Sequence, residues 1–196
     1  MDFSTYRHTQ LVNLRWSGRP DFPPSAELLS WIPMATSPRQ VALELGCCDG
    51  KTLPLLWRKG YHTVGCELFL DLAQKAASQT LVRQQRYLHV VVGDAQALPL
   101  ADRSVDIILA DNGPEHWWSV GHAMREVARV LRRPGSLFAA APLAAESLSP
   151  AHLWSVDTVG AMVDALHQYV PEARVVQVAE MIDGPERQIL MHFHWG

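Results

Sequence analysis

Val41-Ala42-Leu43-Glu44-Leu45-Gly46-Cys47-Cys48-Asp49-Gly50 opens apolar and closes in a turn bracketed by two glycines. The first five residues suit a short buried parallel strand. A helix-like pattern, Leu53, Leu56 and Trp57, follows the second glycine. The unit therefore reads strand, glycine turn, helix. Such a turn brings backbone N–H groups and the positive end of a helix close to a ligand, with no Cβ in the way. Glu44, at the carboxyl end of the strand, is placed to accept hydrogen bonds from the same ligand.

The strict dinucleotide fingerprint G-x-G-x-x-G needs glycines at 46, 48 and 51, where the chain has Gly46, Cys48 and Lys51. Working outward, His62-Thr63-Val64-Gly65-Cys66-Glu67 reads as a second strand ending in an acid, with a helix expected over 70–84. Glu67 follows the glycine turn by about twenty residues, the offset at which an acid grips a ribose diol in nucleoside-binding folds. A carboxylate suits that task because it accepts from two neighbouring hydroxyls at once. Leu88-His89-Val90-Val91-Val92 is the third strand, running into Gly93-Asp94-Ala95-Gln96-Ala97-Leu98-Pro99-Leu100.

Val105-Asp106-Ile107-Ile108-Leu109-Ala110 reads as the fourth strand, followed by Asp111-Asn112-Gly113-Pro114-Glu115-His116-Trp117-Trp118. In a doubly wound sheet this loop is at the crevice beyond the strand tips, where ligands bind. A helix is expected over 120–132, its end marked by Arg129-Val130-Leu131-Arg132-Arg133-Pro134-Gly135-Ser136, with cations in the last turn and a Pro-Gly stop. A fifth strand is expected over 137–141, a helix over 156–169, and a terminal hairpin over 174–180 and 188–194 with its turn at Asp183-Gly184-Pro185. Seven strands, the first five alternating with helices, predict an α/β fold with a mostly parallel sheet and an antiparallel end.

The motifs together resemble those of the class I S-adenosylmethionine (SAM)-dependent methyltransferases, in particular the methyltransferase type 11 group. Glu44 to Gly50 resembles the acid-x-G-x-G-x-G of motif I, with Cys48 at the middle glycine; Gly65-Cys66-Glu67-Leu68 resembles motif II; and residues 93–100 resemble G-D-A-x-x-L-P-hydrophobic. Residues 105–108 resemble the family's F-D-x-V strand, and residues 129–136 its R-V-L-K-P-G-G element. The resemblance spans about residues 40–142 and implies a Rossmann-like, doubly wound seven-stranded sheet with the last strand antiparallel. It implies that Glu44, Gly46, Cys48 and Gly50 surround the methionine part of SAM, that Glu67 and Leu68 flank ribose and adenine, that Asp94 and Ala95 hold the adenine, and that Asp111 and Asn112 line the sulfonium side. The function implied is transfer of a methyl group from SAM to a small-molecule acceptor, on oxygen or nitrogen. The alternative is a protein of the same fold that binds SAM or S-adenosylhomocysteine without methyl transfer. A nicotinamide-dependent reductase is disfavoured by the residues at 48 and 51 and by Gly93-Asp94-Ala95.

His116 is the candidate base, needed only where the acceptor must lose a proton; His8 and His152 are weaker candidates. Trp117 and Trp118 are candidate walls for a planar or cationic acceptor, with Tyr6 and His8 as further lining residues. Residues 1–40, punctuated by Pro20, Pro23, Pro24, Pro33 and Pro38, are expected to hold a short helix near 25–31 with Ser25 as N-cap, and to serve as a lid or to pad the sheet. Residues 41–196 then form the SAM-binding part of what is a single domain overall, the default at 196 residues.

Bulk properties narrow the partners. A net charge of -3 offers no general attraction to nucleic acid or anionic membrane, and Asp111-Asn112-Gly113-Pro114 is not the N/D-P-P-Y/F loop of amino-methylating enzymes. No apolar run is long enough to span a bilayer and no signal peptide is visible. Cys47, Cys48 and Cys66 show neither disulfide nor zinc spacing, so no metal is expected and a reducing cytoplasm is the expected setting. Neither the acceptor nor the oligomeric state is encoded in any motif.

Overall fold

A computed structural model describes residues 25–79, 85–111, 113–142, 158–183 and 186–196. The elements are α1 (Ala26–Trp31), β1 (Val41–Leu45), α2 (Leu53–Arg58), β2 (His62–Glu67), α3 (Leu70–Ser78), β3 (Leu88–Val92), β4 (Val105–Asp111), a 3-10 turn (Pro114–His116), α4 (Val120–Val130), β5 (Leu131–Pro142), α5 (Thr158–Tyr169), β6 (Arg174–Asp183) and β7 (Glu186–Trp195). The strands form one sheet in the order β3-β2-β1-β4-β5-β7-β6. β1 pairs in parallel with β2 and β4, β2 with β3, and β4 with β5. β7 runs antiparallel to both of its neighbours, β5 and β6. The expected α/β sheet, parallel but for its last strand, is the one observed.

The strand period of two sorts side chains onto two faces. Leu43 and Leu45, Ile108 and Ala110, and Leu137, Ala139 and Ala141 join a core with Met124 and Val127 of α4 and Met162 and Leu166 of α5. Ala42, Ile107, Leu109, Phe138 and Ala140 turn the other way, onto Leu28, Leu29 and Ile32 of α1. The expected helix near 25–31 thus pads the sheet. It is capped as anticipated: the Ser25 hydroxyl accepts from the Leu28 N–H at 3.2 Å.

Several boundaries differ from the sequence expectation. The helix expected over 70–84 is described only to Ser78, with residues 80–84 outside the described set. Between β3 and β4 the chain crosses by a loop rather than a helix. The helix expected to end at Arg132 ends at Val130, because Leu131 adopts an extended conformation and pairs with Val105. β5 therefore starts six residues before the predicted strand, and its register shifts across Arg132–Gly135 before Ser136 pairs with Ile107. The Pro-Gly pair sits in an irregularity inside a strand pairing, which its helix-stop chemistry does not distinguish from a terminus. The hairpin strands are longer than expected, β6 at its end and β7 at both ends.

Candidate functional site

The same period of two that builds the core collects the acids. Glu44 follows Ala42, Asp111 follows Ile107 and Leu109, and Glu67 follows Thr63 and Gly65, so all three tips face the α1 side of the sheet. β1, β2 and β4 are neighbours, which sets three carboxylates side by side at the carboxyl edge. Asp94 stands two residues past the end of β3.

The glycine turn is held open by conformation. Gly46 and Gly50 have φ of +73° and +81°, a region in which side chains are disfavoured. A Cβ on Gly46 would meet nothing within 4 Å, so only its backbone demands glycine and the space beside it is clear. A Cβ on Gly50 would lie 2.9 Å from the Cβ of Ala76, so Gly50 also lets α3 close on the turn. Cys48 adopts φ +48°, supplying the backbone shape expected of the middle glycine at a strain of about 1 kcal/mol. Its neighbour Cys47 is buried against Gly65, and burial pushes its thiol well above the usual cysteine range, which keeps it protonated and unreactive.

Glu67 fastens this turn. One carboxylate oxygen, Oε2, accepts from the Cys48 N–H at 2.9 Å, and Oε1 accepts from the Phe69 N–H at 3.0 Å. The Leu68 N–H also bonds this carboxylate, which leaves one lone pair for a ligand hydroxyl. Burial nevertheless raises the Glu67 pKa, partly offset by these N–H donors. Glu44 is more strongly perturbed. Burial raises its pKa to about 8, against a lowering hydrogen bond with the Thr52 side chain. Its Oε2 is buried without a hydrogen-bond partner among the described residues. Asp111 is also raised by burial, and its Oδ2 accepts from the Ser25 N–H at 2.8 Å. Buried Glu44 and Glu67 and half-buried Asp111, all with raised pKa values, form an environment that a cation and hydrogen-bond donors would relieve.

Asp94 accepts through Oδ1 from the Gln96 N–H at 2.8 Å and from the Gln96 side-chain amide at 3.0 Å. The loop beyond is clamped by α4. Glu126 accepts from the Leu98 N–H at 2.8 Å, and Arg129 pairs with Glu126 while donating to the carbonyls of Leu98 and Leu100. That pairing holds the Glu126 carboxyl below its ordinary range. Leu68 and Ala95 lie half-buried beside their acids.

The 3-10 turn after β4 carries His116, half-buried, its backbone N–H donating to the Gly113 carbonyl at 3.0 Å. The two indoles separate. Trp117 packs into the core and is 6% exposed, whereas Trp118 is 42% exposed and lies 6.3 Å from the His122 ring. They do not form one wall. Tyr6, His8, Asn112 and His152 lie outside the described residues.

Sequence reasoning passed over Thr52, Gln96 and the Glu126–Arg129 clamp. Gln96 stood in plain view inside the quoted Gly93–Leu100 stretch, but its partner Ser119 is 23 residues away. Ser25 was recognised as a cap, without the N–H that reaches Asp111 across 86 residues.

The fit to a SAM-like ligand rests on the Glu44 oxygen that has no hydrogen-bond partner among the described residues, the clear space beside Gly46 and the remaining lone pair of Glu67. Comparison with known proteins agrees with it. A model described as a methyltransferase domain matches residues 43–139, about half of the chain. An uncharacterised methyltransferase of Mycobacterium tuberculosis (strain ATCC 25618 / H37Rv) is 35% identical over 123 residues, 61% of this chain and 45% of that protein. A malonyl-[acyl-carrier protein] O-methyltransferase of Enterobacter lignolyticus (strain SCF1) is 35% identical over 107 residues, 54% of this chain and 40% of that protein. The chain thus spans less than half the length of these relatives. Among solved structures, geranyl diphosphate C-methyltransferase from Streptomyces coelicolor A3(2), in complex with Mg2+, geranyl-S-thiolodiphosphate and S-adenosyl-L-homocysteine, superposes with a TM-score of 0.72 at 12% identity. That match covers 87% of this chain and 75% of the other and speaks to the fold. With motif, fold and domain match in agreement, the chain belongs to the class I SAM-dependent methyltransferase family, whose cofactor is S-adenosylmethionine.

Proposed function

We propose that the chain binds SAM across the tips of β1, β2, β3 and β4 and transfers its methyl group to oxygen or nitrogen of a small molecule. The observation that carries this reading is the row of Glu44, Glu67 and Asp111 on one face of three adjacent strand tips, with Asp94 beyond the next strand.

Each residue has a task that its chemistry suits. The turn containing Gly46, Cys48 and Gly50 admits the methionine part, and Glu44 receives its ammonium group. Glu67, with Leu68 beside it, takes a ribose hydroxyl. Asp94 and Ala95 take the adenine, and Asp111 with Asn112 borders the sulfonium. When bound, SAM supplies a methyl group on a positively charged sulfur, already activated for displacement. The chain's own residues have then to align the acceptor and exclude water. His116 takes the acceptor's proton where a phenol or carboxylic acid is methylated; an acceptor already bearing a free lone pair needs no base.

Residues 1–40 are assigned a covering role. The Ser25 N–H on Asp111 supports it, because it brings the chain to the rim of the crevice. Three free cysteines suit a reducing cytoplasm, no helix among the described residues is long and apolar enough to cross a membrane, and the net charge of -3 argues against nucleic acid as acceptor. Incubation with methyl-labelled SAM and a panel of phenols, carboxylic acids and amines tests the reading. Label is expected in at least one low-molecular-weight product. Tight SAM binding with no transfer to any acceptor would instead support the binding-only alternative.

A further inference from the structure

Two loops meet the crevice from different strand tips, and the Gln96 side chain joins them. The first follows β3 and carries Asp94; the second follows β4 and carries His116, Trp117 and Trp118. Gln96 is 8% exposed. Its side-chain amide donates to Asp94 Oδ1 at 3.0 Å, and its carbonyl oxygen accepts from the Ser119 N–H at 2.6 Å. The orientation of the amide follows from its partners: an N–H faces one end and a carboxylate the other, so only one arrangement satisfies both.

Each end of this bridge is fixed to something that matters. Ser119 is the N-cap of α4, its hydroxyl accepting from the His122 N–H, so a shift at Ser119 moves the first turn of that helix. Ser119 also ends the segment that bears His116 and the indoles. At the other end, Asp94 Oδ1 already takes two donors from Gln96, which leaves Oδ2 as the oxygen turned to further partners. A buried amide with both ends satisfied has one low-energy position; release of either end costs the other its partner.

We propose that Gln96 is a positioning residue that ties the acceptor loop to the nucleoside side of the crevice. This rests on the SAM-binding reading above. A ligand that holds the Asp94 carboxylate in one rotamer holds Gln96, and Gln96 holds the Ser119 amide and the loop before it. Ligand binding at Asp94 therefore orders residues 113–119, although their backbone belongs to another strand tip. Gln96 itself touches neither methyl donor nor acceptor in this scheme.

The test is amide hydrogen exchange of the whole chain, with and without S-adenosylhomocysteine, alongside calorimetry of the same ligand. In the wild-type protein the ligand slows exchange in peptides covering 93–100 and 113–119. In Gln96→Leu, close in volume but unable to bridge, the ligand still slows 93–100, its Kd rises about fivefold to tenfold, and the ligand-dependent slowing of 113–119 is lost. A purely structural role would instead speed exchange in both segments equally, with and without ligand, and would overturn the proposal. So would 113–119 protection by ligand that is the same in folded Gln96→Leu as in wild type. Gln96→Glu covers the case in which the leucine variant fails to fold. It keeps an acceptor for Ser119 but sets a carboxylate against Asp94, so coupling is expected to be lost at pH 8 and regained at pH 5, where the introduced carboxyl is more often protonated and can donate. Coupling that persists unchanged at pH 8 overturns the proposal. Absence of S-adenosylhomocysteine binding by the wild-type protein overturns the cofactor reading and this inference together, whereas binding with unchanged loop protection overturns this inference alone.

Discussion

Between Glu44 and Asp94 the crevice is fastened by backbone close at hand; between Asp111 and Ser119 it is fastened from elsewhere in the chain. On the proposed nucleoside side, Glu67 takes N–H groups 19 and 2 residues away, and Asp94 takes one 2 residues away. On the proposed sulfonium and acceptor side, Asp111 takes the N–H of Ser25, 86 residues back, and Ser119 gives its N–H to the Gln96 side chain. Gly113 passes so close over β1 that a Cβ there would lie 3.2 Å from the Leu45 carbonyl oxygen. The nucleoside side is a local device, repeated at successive strand ends. The other side is an assembly of distant parts, joined to the first through the Gln96 side chain.

The contrast is sharpest where one residue does two local jobs. Glu67→Ala removes the proposed acceptor for a ribose hydroxyl and frees the Cys48 N–H. Losses of hydrogen bonds to a charged group sum to about 3 kcal/mol, so S-adenosylhomocysteine affinity should fall roughly a hundredfold or more. Calorimetry on the folded variant checks this, and a change below tenfold would break the comparison on its nucleoside side.

A smaller effect concerns protons. Glu44, held at about 8 in the folded chain against an ordinary 4.5, keeps a proton that the unfolded chain has released. The ligand-free protein should therefore lose stability as pH rises from about 4.5 to about 8, by up to about 1.4 kcal/mol per pH unit from this group. The raised values of Glu67 and Asp111 act in the same direction. Denaturant midpoints measured across that window should show the slope, and Glu44→Gln should flatten it. SAM binding at pH 7 should release a proton as the ammonium meets Glu44, visible as a binding enthalpy that varies with the buffer's ionisation enthalpy.

The smallest expected change in cofactor affinity marks the other side of the crevice. His116→Ala should leave S-adenosylhomocysteine affinity within about threefold of wild type, while slowing transfer to a proton-losing acceptor by roughly 10²–10⁴. A large loss of cofactor affinity would show that the two sides are not separable at this residue.

The same contrast explains what was legible in the sequence. The seven strands and the mostly parallel sheet follow from period-two patterning, glycine placement and alternation with helices, all short-range signals, whereas the strand order is set by pairings between distant segments. The start of β5 was misread because Leu131 ends a helix and begins a strand pairing at once, a choice made by Val105 across the sheet. Trp117 and Trp118, adjacent in sequence, take opposite fates because α4 and the sheet bury one and leave the other at the surface. Gln96 looked like an unassigned position between Ala95 and Ala97, since nothing local announces a partner 23 residues on.

The most direct measurement is a calorimetric titration of the whole chain with S-adenosylhomocysteine, for wild type and for Asp94→Ala side by side. Saturable binding by the wild type is predicted, weakened about tenfold to a hundredfold in a variant that melts at the same temperature. No heat from the wild type at millimolar ligand, or equal affinity in a folded Asp94→Ala protein, would contradict the assignment of this crevice to the nucleoside.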